Sequence, residues 1–240
     1  MTSLPNIVVL TGAGISAESG LKTFRDSGGL WENFPIEDVA TPEAFSTNPD
    51  LVYEFYNLRR RQLKQQTVQP NLAHLALAEL EGYLGDNFTL ITQNVDDLHE
   101  RAGSQRVLHM HGTLRSARCL TSGKAIPWEN DFDAQTLCQC CTPKSAMRPD
   151  IVWFGELPMH MDEIYQKLSH ADVFISVGTS GQVYPAAGLV ELANNVGADT
   201  IELNLEAGDQ HTNFNQSIYG KASQVVPQFV HTLLTSLKDK

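Results

Sequence analysis

The stretch from Gly12 to Arg25, GAGISAESGLKTFR, limits what this chain can fold into more than any other. It follows an apolar run, Ile7-Val8-Val9-Leu10, of the kind that forms a strand buried on both faces of a parallel sheet. Gly12-x-Gly14-x-x-Ala17 then fits the strand–turn–helix form of a dinucleotide-binding loop. Glycine turns tightly and lets a pyrophosphate come close to the backbone. A helix behind the loop would point its free N–H groups and positive dipole end at the phosphates. Alone, the pattern is weak. A dehydrogenase would add a second strand ending in an acid about 20 residues on, to hold the ribose. Glu32 and Asp38 lie near that distance, but no strand pattern precedes them. A glycine-rich aromatic loop stands there instead, Phe24-Arg25-Asp26-Ser27-Gly28-Gly29-Leu30-Trp31, which suggests a dinucleotide used otherwise than as a hydride carrier.

Other short apolar runs read as further parallel strands: residues 88–92, 107–110, 173–177 and 200–205. Between them lie helical patterns at 71–84, where Leu72, Leu75, Leu77, Leu80 and Leu84 share roughly one face, and at 162–169 and 186–194. Alternating strand and helix implies an α/β fold, a Rossmann-like doubly wound parallel sheet. Two stretches break the rhythm. Residues 35–66 look helical, and residues 113–150 are polar, irregular and hold all four cysteines, Cys119, Cys138, Cys140 and Cys141. Both are read as parts of a smaller inserted helical and zinc-ribbon module. The expected division is therefore 1–34, 67–112 and 151–240 for the nucleotide-binding domain, with 35–66 and 113–150 forming the insert.

With 240 residues the chain can bury a proper core. A net charge of −11 argues against a nucleic-acid or anionic-membrane partner and is compatible with cationic, lysine-rich substrates. No apolar stretch approaches the ~20 residues that span a bilayer. The N-terminal apolar run is short and lacks a basic leader, so a signal peptide is not expected and the chain is placed in the cytoplasm. In that compartment clustered cysteines suggest metal rather than disulfides.

The strand ends carry the chemistry. Residues 92–99 read TQNVDDLH, an apolar strand running into amides and carboxylates where α/β sheets bind ligands. Asn94 or Asp96 could equally cap the helix that follows. His109-Met110-His111-Gly112 ends another strand. A strand-end histidine suits a general base, since its pKa lies near 6.5. The two histidines, i and i+2 on one strand face, could instead share a metal. Gly178-Thr179-Ser180 and Asn204-Leu205-Glu206 close two more strands with small or polar residues.

Taken together and in this order, GAGISAESG, TFRDSGGLW, TQNVDDLH, HMHG, Val152-Trp153-Phe154-Gly155-Glu156, GTS and NLE resemble the sirtuin family of NAD-dependent protein lysine deacylases, over residues 7–234. The compact bacterial class III type is the nearest likeness. The resemblance implies acyl transfer onto NAD. The acyl-lysine oxygen attacks C1′ of the nicotinamide ribose, nicotinamide leaves, and a histidine base activates a ribose hydroxyl. Water then releases lysine and O-acyl-ADP-ribose. His111 matches that base, and Asn94 and Asp96 match the residues that orient ribose and nicotinamide. Gly12, Ala13, Gly14, Ile15, Ser16, Glu18, Thr23, Phe24, Arg25 and Trp31 would form the cofactor loop, with Ala13, Ile15, Phe24 and Arg25 flanking nicotinamide. Gln93, Gly178, Thr179, Ser180, Asn204, Leu205, Glu206 and Ala222 would serve the adenosine half, Glu206 supplying the ribose contact that a dehydrogenase takes from its second strand. Residues 152–157 would form an edge that pairs with the backbone of an acyl-lysine protein or peptide. Nothing demands more than a monomer.

Two further readings concern specificity and metal. Tyr56 and Arg59 are i, i+3 neighbours on the helix predicted over 48–66, and a phenol beside a guanidinium makes a carboxylate site. The spacing FYNLRR resembles the class III signature for succinyl, malonyl or glutaryl lysine, with Ala40 as the small residue that widens the acyl pocket. Both acetyl and succinyl removal are therefore expected, although Arg59-Arg60-Arg61 as a run could simply be solvated. The family norm for zinc is two Cys-x-x-Cys pairs. Here Cys138-x-x-Cys141 is present, but Cys119 is followed three residues later by Ser122, a poor ligand. Cys119, Cys138 and Cys141 are the expected zinc ligands, and Cys140 can join only if two neighbouring cysteines converge. A mono-ADP-ribosyltransferase on the same fold, or a non-catalytic NAD-sensing protein, are the competing functions.

Overall fold

The computed structural model describes residues 4–21, 30–31, 34–207 and 213–239. Its frame is a six-stranded sheet, parallel throughout. From the edge the strands run β11 (Gln216–Tyr219), β10 (Asp199–Asn204), β9 (Val173–Val177), β1 (Ile7–Thr11), β4 (Phe88–Thr92) and β5 (Val107–His109). Alternation along β1 explains the two-sided core. Ile7 and Val9 face one apolar layer with α4 (Leu72–Leu84) and α8 (Ala222–Lys238), while Val8 and Leu10 face the other with α6 (Met161–Leu168) and α7 (Leu189–Asn195). Asn71 starts α4, accepting from Ala73 N at 2.9 Å while His74 accepts from the Asn71 N–H in return. This is the doubly wound α/β architecture, and strand order reverses direction beside β1, so the carboxyl ends of β1, β4 and β9 open onto one crevice.

Three local expectations are corrected. Among the described residues no α-helix follows the glycine loop. Two 3₁₀ turns, Ala13–Ile15 and Ala17–Ser19, occupy that place, so no helix dipole of length points at a phosphate there. Residues 113–150 are not irregular throughout. β6 (Gly112–Cys119) pairs antiparallel with β7 (Ala125–Pro127) and β8 (Met147–Ile151). Residues 152–156 form no strand. They turn tightly after β8, with Glu156 N donating to Trp153 O at 3.0 Å. The sequence also gives no warning of β11, a four-residue, half-exposed edge strand with little apolar patterning. Leu205 lies just past the end of β10.

The remaining elements are β2 (Leu30–Trp31), β3 (Phe34–Pro35), α1 (Ile36–Val39), α2 (Pro42–Thr47), α3 (Pro49–Leu63) and α5 (Leu98–Ala102). α2 and α3 each start with proline at the first helical position, behind Thr41 and Asn48 caps. α3 ties the helical and cysteine-bearing segments together. Buried Arg60 donates to Leu114 O at 2.9 Å and to Asn57 Oδ1 at 2.8 Å, and Asn57 donates to Phe132 O at 2.9 Å. Tyr53 donates to Met147 O at 2.5 Å. The arginine triplet thus splits. Arg59 is half-buried, Arg60 is fully buried, and Arg61 is exposed and paired with Asp131.

Candidate active site

The strand ends of β1, β4, β5, β9 and β10 border a cleft of about 730 Å³, closed on the far side by α3 and the 152–156 turn. A second hollow of about 590 Å³ lies at the other end of the sheet, where β1 and β4 begin, and holds none of the motif residues.

Two loops form the floor by backbone contact. A Cβ on Gly14 would lie 2.7 Å from the Gly178 backbone, and one on Gly178, at φ 61°, would lie 2.5 Å from Ile15 N. Gly14 N donates to Gly178 O at 2.8 Å and Gly12 N to Val177 O at 2.9 Å. The glycines that resemble a phosphate-binding signature are therefore needed first for loop-on-loop packing. Ala13 and Ser16 reach the cleft, but Ile15 does not. It is fully buried in the α4/α8 core layer, which corrects its assignment to the nicotinamide pocket. Glu18 borders the cleft while holding the start of α8, accepting from Ser223 N at 3.0 Å and Ser223 Oγ at 2.9 Å. Thr23, Phe24 and Arg25 lie outside the described residues, as does the side chain of Trp31.

The two histidines of HMHG part company. His111 faces the cleft, and its Nδ1 lies 3.1 Å from Gln93 O. A carbonyl only accepts, so Nδ1 carries the proton and Nε2 keeps its lone pair. Burial lowers the His111 pKa, partly opposed by that hydrogen bond, so the ring is neutral near pH 7, as a base must be. His109 turns away, toward Asn94 O at 3.2 Å and Glu100 Oε1 at 2.6 Å. The two rings share no site for a metal among the described residues.

Asn94 and Asp96 sit beside them. Asn94 donates through Nδ2 to Gly12 O at 3.2 Å and Ser16 Oγ at 3.1 Å, joining the β4 and β1 loops. Asp96 Oδ2 accepts from Ser16 Oγ at 3.0 Å, while its Oδ1 accepts from Leu98 N at 3.1 Å. Asp96 therefore steadies the first residue of α5 and faces the cleft at once. Burial raises its pKa from 3.8 to about 6, against the pull of those hydrogen bonds.

At the β9 and β10 end of the cleft, Gln93 donates to Thr179 Oγ1 at 3.0 Å. Asn204 spends its amide within the protein, donating to Thr179 O at 3.0 Å and Glu202 Oε1 at 3.3 Å. Its role here is to hold the Thr179 loop. Ser180, Leu205, Glu206 and Ala222 border the cleft.

Opposite them, Tyr56 and Arg59 both line the cleft with Ala40. Trp153 Nε1 donates to Tyr56 Oη at 3.0 Å, and Arg59 stacks 5.0 Å from the Phe55 ring centroid. Burial holds the phenol pKa well above its usual range, so it stays a neutral donor. Val152 N donates to His111 O at 2.9 Å and Phe154 N to Ala40 O at 3.0 Å. Glu156 is spent on the turn itself. It pairs with Arg148 at 2.6 Å and accepts from Trp153 N at 2.8 Å. Burial works to raise its pKa, but Arg148 outweighs this and holds it low. No motif marks Gln62, Tyr184 or Lys221, which also line the cleft. For Gln62 the signal was available, since it lies three residues beyond Arg59 on the same helix face.

Far from His111, the Sγ atoms of Cys119, Cys138, Cys140 and Cys141 all lie within 4.8 Å of one another, with none in a disulfide. Cys119 to Cys141 is 3.6 Å and Cys140 to Cys141 is 3.8 Å. A tetrahedral centre with Zn–S of 2.3 Å sets sulfurs about 3.8 Å apart, so the set fits one zinc ion. The neighbouring cysteines do converge, and Cys140 completes a four-thiol set where a three-thiol one was expected. Ser122 lies 3.2 Å from Cys140 Sγ, and its backbone N–H donates to Cys119 Sγ at 3.5 Å.

Comparison with known proteins fits this geometry. The model of the Sir2 family matches residues 12–185. A Yersinia pseudotuberculosis protein named NAD-dependent protein deacylase is 58% identical over 232 residues, covering 97% of this chain and 84% of that protein. The solved complex of a Sir2 homologue with NAD superposes with a TM-score of 0.85 at 41% identity, covering 96% of this chain and 90% of that one. A Sir2 protein bound to an acetylated peptide gives 0.77 at 29% identity, covering 96% and 92%.

Proposed function

The chain belongs to the Sir2 family, and from that premise we propose that it is an NAD-dependent protein lysine deacylase that removes both acetyl and succinyl groups. The observation that carries the reading is one continuous cleft with His111 at its centre, the β1 and β9 loops at one end, and Tyr56 with Arg59 at the other.

NAD, when bound, supplies the ribose carbon that accepts the acyl-lysine oxygen and the hydroxyl that receives the acyl group. The chain does the rest. Asn94 and Asp96 hold the nicotinamide-ribose half against the β1 loop. His111 Nε2, with its tautomer set by Gln93 O, takes a proton from the ribose hydroxyl. The neutral Tyr56 phenol and the Arg59 guanidinium receive a carboxylate at the tip of a succinyl chain, and Arg59 supplies its counter-charge. Ala40 leaves the width. The 152–156 turn, fixed by Arg148, borders the peptide. The acyl-lysine substrates are proteins or peptides, and the chain acts as a monomer in the cytoplasm. No helix among the described residues is long and apolar enough to cross a membrane.

The test is mass spectrometry of one peptide carrying acetyl- or succinyl-lysine, with and without NAD. Loss of both groups with O-acyl-ADP-ribose formed is expected. ADP-ribose attached to protein would favour the transferase instead. Arg59→Met should lower desuccinylation by about 100-fold, consistent with a lost charge-assisted pair of about 3 kcal/mol, and leave deacetylation within about threefold. An equal fall on both substrates would make Arg59 structural.

A further inference from the structure

HMHG contains two histidines, and the proposed reaction uses only His111. We propose that His109 is a positioning residue, a buried imidazolium that clamps the 93–97 loop and so sets how tightly the nicotinamide-ribose half of NAD is held. This rests on the deacylase reading above.

The hydrogen-bond geometry carries the claim. His109 ends β5 in register with Thr92 on β4, the residue after which the loop departs. Its side chain is only 14% exposed. Nδ1 faces Asn94 O at 3.2 Å, and Nε2 faces Glu100 Oε1 at 2.6 Å. Both partners are acceptors. A neutral ring has a hydrogen on one nitrogen only and would aim a lone pair at one of them, so the ring that fits is doubly protonated. His111, two residues on, meets one acceptor and stays neutral. One strand end thus presents a base and a cation in fixed places.

What the cation holds is the working loop. Asn94 O is pulled toward β5, while the Asn94 amide reaches Gly12 O and Ser16. The charge also faces Asp96, helping it stay ionised against its burial. The other groups around the ring do not compete. His99 on α5, and His74 behind it on α4, are both pushed down by burial and are neutral. Arg101 on α5 is spent on Val68 O and Gln69, and Arg115 on β6 on Asp97. Burial of His109 works against its charge, but Glu100, Asn94 O and Asp96 outweigh it and hold its pKa above 6.5. A raised pKa means the clamp is present at low pH and is lost as pH rises through that value.

The test has two arms. In a ring-carbon NMR titration of the eight histidines, the resonance that vanishes in His109→Asn should have its midpoint above 6.5. Glu100→Gln should lower that midpoint by about one pH unit or more. In steady-state kinetics, KM for NAD should rise about tenfold as His109 loses its proton, about 1.4 kcal/mol, while kcat at saturating NAD stays within about twofold. Glu100→Gln should move the rise to lower pH by the interval seen in the titration. In His109→Asn, whose amide can still donate to Asn94 O, the KM rise at the His109 midpoint should vanish and KM should stay lower than in His109→Leu. A His109 midpoint at or below 6.5 overturns the clamp. A KM profile unmoved by Glu100→Gln overturns the positioning role, whatever the midpoint does. A wild type that does not turn over NAD at all overturns the deacylase reading instead, and the NMR arm still decides the charge. Should His109→Leu fail to fold, Glu100→Gln still carries both arms.

Discussion

At the residue scale the site depends on where each proton sits. Gln93 O makes His111 Nδ1 the protonated nitrogen, so Nε2 is the atom that would act as the proposed base. His111→Tyr should keep NAD affinity within about threefold and lose between about 10² and 10⁴ in kcat, read by calorimetry and turnover. Retained turnover would remove His111 as base. Asp96 makes the opposite bargain. Its pKa of about 6 means that folding holds a carboxylate whose charge the interior disfavours. A folded pKa raised above the unfolded value of 3.8 destabilises the fold at every pH above that folded value, and the cost fades as pH falls through about 6 toward 4. Asp96→Asn should therefore gain up to about 3 kcal/mol of stability at pH 8 and less at pH 5, while weakening NAD turnover. Thermal melts at the two pH values check the sign. A melting temperature unchanged at both would show that burial does not raise the Asp96 pKa in the free protein.

At the scale of elements, the floor of the cleft is two loops locked by their lack of side chains. Gly178 has a φ of 61° and no room for a methyl group beside Ile15 N. Gly178→Ala should cost about 3 kcal/mol from backbone strain and displacement of the β1 loop, lowering the melting temperature by roughly 10 °C. NAD binding should fall with it, because the same loop carries Ala13 and Ser16. A melting temperature within a degree or two of wild type would mean that the loops part easily. α3 is the second decisive element. One helix presents Tyr56 and Arg59 to the cleft, Arg60 to β6 and Tyr53 to β8, so the proposed acyl site and the attachment of the cysteine-bearing segment share a single rigid body.

At the scale of the whole molecule, the four cysteines close the outer end of the three-stranded sheet, remote from the cleft. Elemental analysis of purified protein should find one zinc per chain. Cys140→Ser should remove it as fully as Cys119→Ser does, and chelation should lower the melting temperature without changing the pH dependence that His111 sets. Full zinc retention in Cys140→Ser would return the site to three thiolates. The net charge of −11 over this frame favours approach of lysine-rich substrates and weakens with salt.

Several of these features were written in the sequence. Apolar runs fixed five of the six parallel strands, and strand ends rich in Asn, Asp, His and Gly marked the crevice, because a buried parallel strand must be apolar along its length and only its ends can be polar. That Tyr56 and Arg59 share one helix face, the face that lines the cleft, followed from helical spacing. Other features needed the tertiary structure. Sequence spacing cannot tell which of two histidines two residues apart meets one acceptor and which meets two. Nor does it reveal that Glu156 and Asn204 are spent on Arg148 and Thr179, or that Ile15 turns into the core. The convergence of Cys140 with three other thiols depends on the path of a hairpin whose residues carry no apolar period. Each of these is a contact between segments far apart in the chain, and local pattern records only what a residue's neighbours in sequence require.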